Sequence, residues 1–207
     1  MKRPIGAIIV VSLLAAMAAC SNSEQVAEKK AEAKPLEART GREAFQSMYV
    51  AARGWQHDAT PLQLKSIPLS GVKAEPGQSG AWQAIFVSAA AGRARTYTWC
   101  AIELEGNLHK GVFAGPDESW SGPSGASQPF PAIALKVDSD EALKTAIAKS
   151  EDYVKKHPNT PVIFLLEQNR RFPDLTWRVL WGESISTSDY AVFVDASTGE
   201  LLTREKG

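Results

Sequence analysis

The feature that most constrains this chain is that one pattern of residues occurs in it twice. Thr40 and Glu43 form a T-x-x-E capping box ahead of Phe45, Met48, Tyr49 and Ala52 at helical spacing. Asp138 and Glu141 form a matching D-x-x-E box ahead of Leu143, Ala146, Ile147, Ser150 and Val154. Gly54 stops the first predicted helix and His157-Pro158 stops the second. Each is followed by Thr-Pro and an extended run, starting at Thr60 and Thr160. Next come a Trp-led strand (Trp82, Trp177), a Tyr-bearing strand (Tyr97, Tyr190) and a glycine turn (Gly106, Gly199). The matched positions lie 98 residues apart at the capping box, 100 at Thr-Pro, 95 at Trp, and 93 at Tyr and Gly. Turns absorb such drift and strands do not, so the shared order points to a duplication.

A helix followed by three strands on short turns pairs its strands antiparallel and covers one sheet face with the helix. The expected fold class is α+β, with two tandem helix-plus-three-stranded antiparallel units at residues 40–106 and 138–207. Between them, residues 107–137 are rich in Gly and Pro and read as an irregular connecting loop, with a short strand at 132–137. In the strand around Tyr97, alternation places Thr98, Cys100, Ile102 and Leu104 on one face, the expected helix side. Tyr97, Trp99, Ala101, Glu103 and Glu105 share the other, expected to be a partly exposed sheet surface.

The chain begins with Lys2 and Arg3, then an uncharged stretch to Cys20 rich in Ile, Val, Leu and Ala, the pattern of a secretory signal. Its length also fits a retained anchor helix. The end of the stretch, Leu14-Ala15-Ala16-Met17-Ala18-Ala19-Cys20, resembles the lipobox of bacterial lipoproteins. That resemblance implies a signal peptide at 1–19, acylation at Cys20 and a membrane partner reached through the lipid anchor. With Ser21 next, it implies the outer membrane, facing the periplasm. Residues 20–39 carry almost no large apolar side chains and read as the lipidated cysteine plus a flexible tether. Loss of Lys2 and Arg3 from a balance of 23 basic against 23 acidic residues leaves a net charge of −2. Nothing there suits adhesion to anionic lipid or nucleic acid.

The closing stretch, Tyr190-Ala191-Val192-Phe193-Val194-Asp195-Ala196-Ser197-Thr198-Gly199-Glu200, resembles the terminal hairpin of PepSY domains, and Asp138-Ser139-Asp140-Glu141-Ala142 resembles the opening of their helix. The likeness covers residues 138–204 and, through the repeat, 40–106, although Glu103-Leu104-Glu105-Gly106 lacks the Thr-Gly pair. It implies a cystatin-like arrangement, an extracytoplasmic location and a non-catalytic role in inhibition or as an accessory module.

Local motifs for chemistry are absent. His57, His109 and His157 are isolated, and no H-x-x-x-H, G-x-S-x-G or phosphate-binding glycine loop occurs. No cofactor or metal is expected. With Cys20 acylated, Cys100 is an unpaired thiol, either a small buried hydrophobe or a reactive group needing a neighbouring base. Of six tryptophans, Trp120 alone lies outside any periodic pattern, either tucked onto the surface or serving as an interface anchor. The expected function is a non-catalytic protein-binding or inhibitory module with an unidentified envelope protein as partner. The alternatives are an envelope assembly lipoprotein, or an enzyme with dispersed residues, signalled by Cys100 meeting His57 or His109 meeting Glu103.

Overall fold

The computed structural model of the protein describes residues 37–206. The signal peptide, Cys20 and nearly all of the expected tether therefore lie outside the described residues. In chain order the elements are β1 (Arg39–Thr40), α1 (Gly41–Trp55), β2 (Thr60–Ile67), β3 (Gln78–Ser79), β4 (Ala81–Ser88), β5 (Arg93–Cys100) and β6 (Gly111–Ser119). They continue as a 3-10 turn (Ala132–Ala134), α2 (Ser139–Ala148), α3 (Glu151–Lys156), β7 (Val162–Glu167), β8 (Thr176–Trp181), β9 (Tyr190–Asp195) and β10 (Leu201–Lys206). The molecule is α+β, with one antiparallel eight-stranded sheet in the order β10-β9-β8-β7-β2-β4-β5-β6.

Both capping boxes form as the sequence predicts, Thr40 with Glu43 and Asp138 with Glu141. α1 buries Gly41, Ala44, Phe45, Met48 and Ala52, one face of a 3.6-residue period. α2 buries Ser139, Ala142, Leu143 and Ala146. These faces and the large side chains of the sheet make one core, with Trp82, Trp99, Trp177 and Tyr97 fully buried in it.

The two halves join through their first strands, where Gln63, Leu64 and Lys65 face Glu167, Leu166 and Leu165. The register is symmetric about the Lys65–Leu165 pair, so the halves are related by a local two-fold axis through the sheet. Near that axis Trp82 and Trp177 meet edge to face, ring centroids 6.4 Å apart. Their indole N–H groups make equivalent bonds to the residue before each helix cap: Trp82 donates to the Arg39 carbonyl (2.9 Å) and Trp177 to the Val137 carbonyl (2.8 Å). The helix N-termini also meet here. Gly41 N–H donates to Ser139 Oγ (2.7 Å) and Arg42 N–H to the buried carboxylate of Asp138 (2.9 Å). An anion between two helix N-termini sits where both dipoles favour it. The fit is close enough that a Cβ on Gly41 would stand 2.6 Å from the Trp177 ring, and one on Gly77, at φ +87°, 2.3 Å from the Asp140 backbone.

The structure corrects several sequence expectations. Each half has four sheet strands rather than three. β6 forms inside the stretch 107–137 that is expected to be loop, because residues 111–114 and 117–119 pair along β5 on either side of a bulge that takes up Gly115 and Pro116 on this edge strand. Residues 132–134 are a 3-10 turn, not a strand, tied by Lys136 and Val137 N–H to the Ala196 carbonyl. The second helix breaks at Lys149–Ser150. Tyr97 and Tyr190 lie on equivalent strands and the same face but not at equivalent positions. Tyr97 faces Ala84 whereas Tyr190 faces Trp181, so the position matching Tyr97 holds Val192. Finally, Tyr97, Trp99 and Ala101 form the helix-packed face, while Cys100 lies on the other. Bulk decides this: two large aromatics need the thick layer between helix and sheet, whereas Cys100 sits between Ala81 and Gly111. Glu103 and Glu105 lie past the end of β5, so strand alternation does not reach them.

Candidate functional site

The helices α1 and α2 pack on one side of the sheet and leave the other side open. The pairing registers define a row crossing all eight strands on that side: Thr203, Phe193, Arg178, Leu165, Lys65, Gln83, Thr98 and Phe113. A neighbouring row carries Asp195, Thr176, Glu167, Gln63, Ile85 and Thr96.

The two halves of this face are built differently. On the second half, Ile163, Leu165, Leu180, Ala191 and Phe193 form a small core of their own, with Phe172 and Ile185 packed over it from the strand-connecting loops. Phe172 stacks on Phe193 at 4.7 Å, and Arg171 reaches across the Phe193 ring to an ion pair with Glu205. On the first half, Gln63, Lys65, Gln83, Ile85 and Thr96 remain half-buried, with no such cover. Glu167, at the boundary, is held by amides, with Gln63 Nε2 at 3.5 Å and Asn169 Nδ2 at 3.2 Å.

The outer rim of the first half is the loop 101–110. Thr98 Oγ1 donates to the Asn107 carbonyl (2.8 Å), folding this loop back over Thr98 and the end of β5. At its crest Glu103 Oε1 meets His109 Nδ1 at 2.6 Å, and Glu103 Oε2 accepts from Lys110 N–H at 2.8 Å. The Lys110 amide first, then His109, hold the Glu103 carboxyl below its ordinary pKa. The His109 ring packs on Phe113 at 4.6 Å. His109 and Glu103 are therefore brought together, but on an exposed loop rather than in a cleft. Cys100 and His57 are not. Cys100 is fully buried at one end of β5, whereas His57 follows α1, whose Trp55 bonds Asp117 opposite the start of β5. Trp120 is half-buried just past β6, its N–H donating to the Gly92 carbonyl (2.9 Å). Among the described residues no group of three or more His, Cys, Asp or Glu side chains is placed to hold a metal. No helix among them is long and apolar enough to cross a membrane.

Sequence reasoning missed the open platform because its residues come from different strands of both halves. Only the register of β2 against β7 sets Lys65 beside Leu165 and Gln63 beside Glu167. The alternation of Gln63 and Lys65 with buried Leu64 was the one available signal.

Neither a protein-family model nor a curated protein sequence matches the chain. Among solved structures it is similar to a candidate lipoprotein of Clostridium difficile 630, at 13% identity and a TM-score of 0.46, covering 79% of this chain and 93% of that one.

Proposed function

We propose that this chain is a lipid-tethered, non-catalytic protein-binding module of the bacterial envelope. Cys20 carries the anchor, the residues from Ser21 to the start of the described fold are the tether, and each helix-and-sheet half is a PepSY-like unit. The contact surface is the helix-free sheet face of the first half, centred on Lys65, Gln83 and Ile85. The observation that carries this reading is the asymmetry of that face: the second half roofs it with Phe172 and Ile185, and the first half leaves it open. A mixed polar and apolar platform on a rigid sheet suits a protein surface better than a small substrate. Ser21 after the cysteine supports the outer membrane, facing the periplasm.

The test is site-specific photo-cross-linking in cells of the source bacterium. A photoreactive residue at Gln83 should yield one or a few adducts of discrete mass, and one at Gln46 on α1 should yield none. Adducts at neither position, or equally at both, would remove the proposed face. Separately, Cys20→Ser should block acylation and leave unprocessed precursor; normal processing would dismiss the anchor.

A further inference from the structure

The second half carries a helix break that the first half lacks, and a cleft lies beside it. α1 runs unbroken for 15 residues, whereas its counterpart is interrupted between α2 and α3. Arg204 Nη1 donates to the Lys149 carbonyl at 2.5 Å, the acceptor that the Tyr153 N–H would use in a continuous helix. The Tyr153 N–H goes to the Ser150 carbonyl instead. Ser150 Oγ and Tyr190 Oη, 3.0 Å apart, fix the break against β9.

Between α3 and the β9–β10 edge this leaves an opening of about 690 Å³, within the usual range for a small-molecule site. A second opening of about 480 Å³ adjoins it, sharing Lys156, His157 and Asp189. The wall is aromatic: Tyr153 is stacked between His157 (4.3 Å) and Tyr190 (4.2 Å). Its hydroxyl is shut off from water and has no hydrogen-bond partner among the described residues. Burial first, then the charge of Asp189, pushes that phenol above its ordinary pKa, so it stays an O–H donor. A buried donor without an acceptor costs stability, and such a group calls for an explanation.

The charges are also unspent. Lys144 and Lys155, on the same two helices, pair with Asp140 and Glu151. Lys149, Arg204 and Lys206, which line the cleft, pair with no carboxylate among the described residues. Asp152 and Asp189 also line it and would repel a polyanion.

We propose that this cleft binds a small molecule bearing a single oxyanion, a carboxylate or a phosphate. Lys149, Arg204 and Lys206 hold the oxyanion, and Asp152 and Asp189 take the ligand's donor groups. Tyr153 O–H finds its acceptor on the ligand after a small movement of α3, a helix that fully buries none of its residues. The site is independent of the protein-binding face on the other half.

The test is thermal unfolding of the full acylated chain in detergent with acetate, glycylglycine or inorganic phosphate, against chloride at matched ionic strength. At least one oxyanion should raise the melting temperature by several degrees. A response to acetate and glycylglycine identifies a carboxylate ligand, and a response to phosphate alone identifies a phosphate ester. The double variant Lys149→Ala/Lys206→Ala should weaken the response about tenfold, as expected for lost charge-assisted contacts, while Lys144→Ala should not change it. Tyr153→Phe should melt higher than the parent without ligand yet bind several-fold more weakly. No response beyond chloride, an undiminished response in the double variant, or a Tyr153→Phe protein that melts lower than the parent would each overturn the proposal.

Discussion

The two halves share one construction on their helix side and diverge on the other. Beneath the helices they share the capping boxes and the indole bonds of Trp82 and Trp177 to the carbonyl before each cap. On the open side the second half closes over its own sheet with Phe172 and Ile185, and the first half leaves Gln63, Lys65, Gln83 and Ile85 within reach. The difference teaches where constraint lies. The helix face must be filled to hold the sheet, so both halves solve it alike. The open face has no such demand and is where the halves are free to take on different tasks.

The equivalence on the helix side can be broken most directly at the tryptophans. Trp82→Ala and Trp177→Ala should each cost about 3–5 kcal/mol, because each empties a fully buried site and orphans a backbone carbonyl. The two losses, measured by urea unfolding, should agree within about 1 kcal/mol, the scatter ordinary for matched core sites. A loss at one position several times that at the other would mean that the local symmetry describes topology without describing load.

The asymmetry of the open face makes the next largest prediction. Phe193→Ala removes the centre of the roofed cluster and should cost about 3 kcal/mol, while Ile85→Ala, half-buried on the unroofed half, should cost about 1 kcal/mol. The same unfolding measurement applies. Equal costs would show that the first half is covered as tightly as the second, and the platform would lose its claim as a contact surface.

Much of this architecture was readable in the residues themselves. The capping boxes, the apolar stripe of α1 and the paired Trp positions are local signals, and local chemistry delivers them. What escaped is what depends on distant partners. The fourth strand of the first half is a Gly- and Pro-bearing edge strand, sustained by pairing with β5 rather than by its own propensity. Alternation along β5 holds, but Ile102 and Leu104, which point to the helix side for Cys100, lie past the strand end, and the bulk of Tyr97 and Trp99 sets the face instead. The break at Ser150 depends on Arg204, 55 residues downstream, and no helical periodicity carries that information.

The smallest effect expected is acid loosening of two loops at opposite ends of β5, and it tests whether they are held by charge. Asp58 accepts from Ala90 N–H (3.0 Å) and Ser88 Oγ (2.7 Å) at the β4–β5 turn, and these bonds, the Ala90 amide first, hold its pKa below the ordinary 3.8. Glu103 is held below its ordinary 4.5 by Lys110 N–H and then His109. For a carboxyl whose folded pKa lies below its unfolded one, the stabilisation is complete above the unfolded value and disappears as pH falls through the folded value. The amide proton shifts of Ala90 and Lys110 should therefore titrate with midpoints below 3.8 and 4.5 respectively, and Asp58→Asn and Glu103→Gln should abolish the two transitions separately. Both carboxyls are solvent-exposed, so the change should stay local, and Thr98 still holds Asn107 over the sheet. The Phe172–Phe193 stack carries no titratable group and keeps the second half roofed through the same range. Midpoints at or above the ordinary values would mean that the two loops are held by packing alone, and both would then be as rigid in acid as at neutral pH.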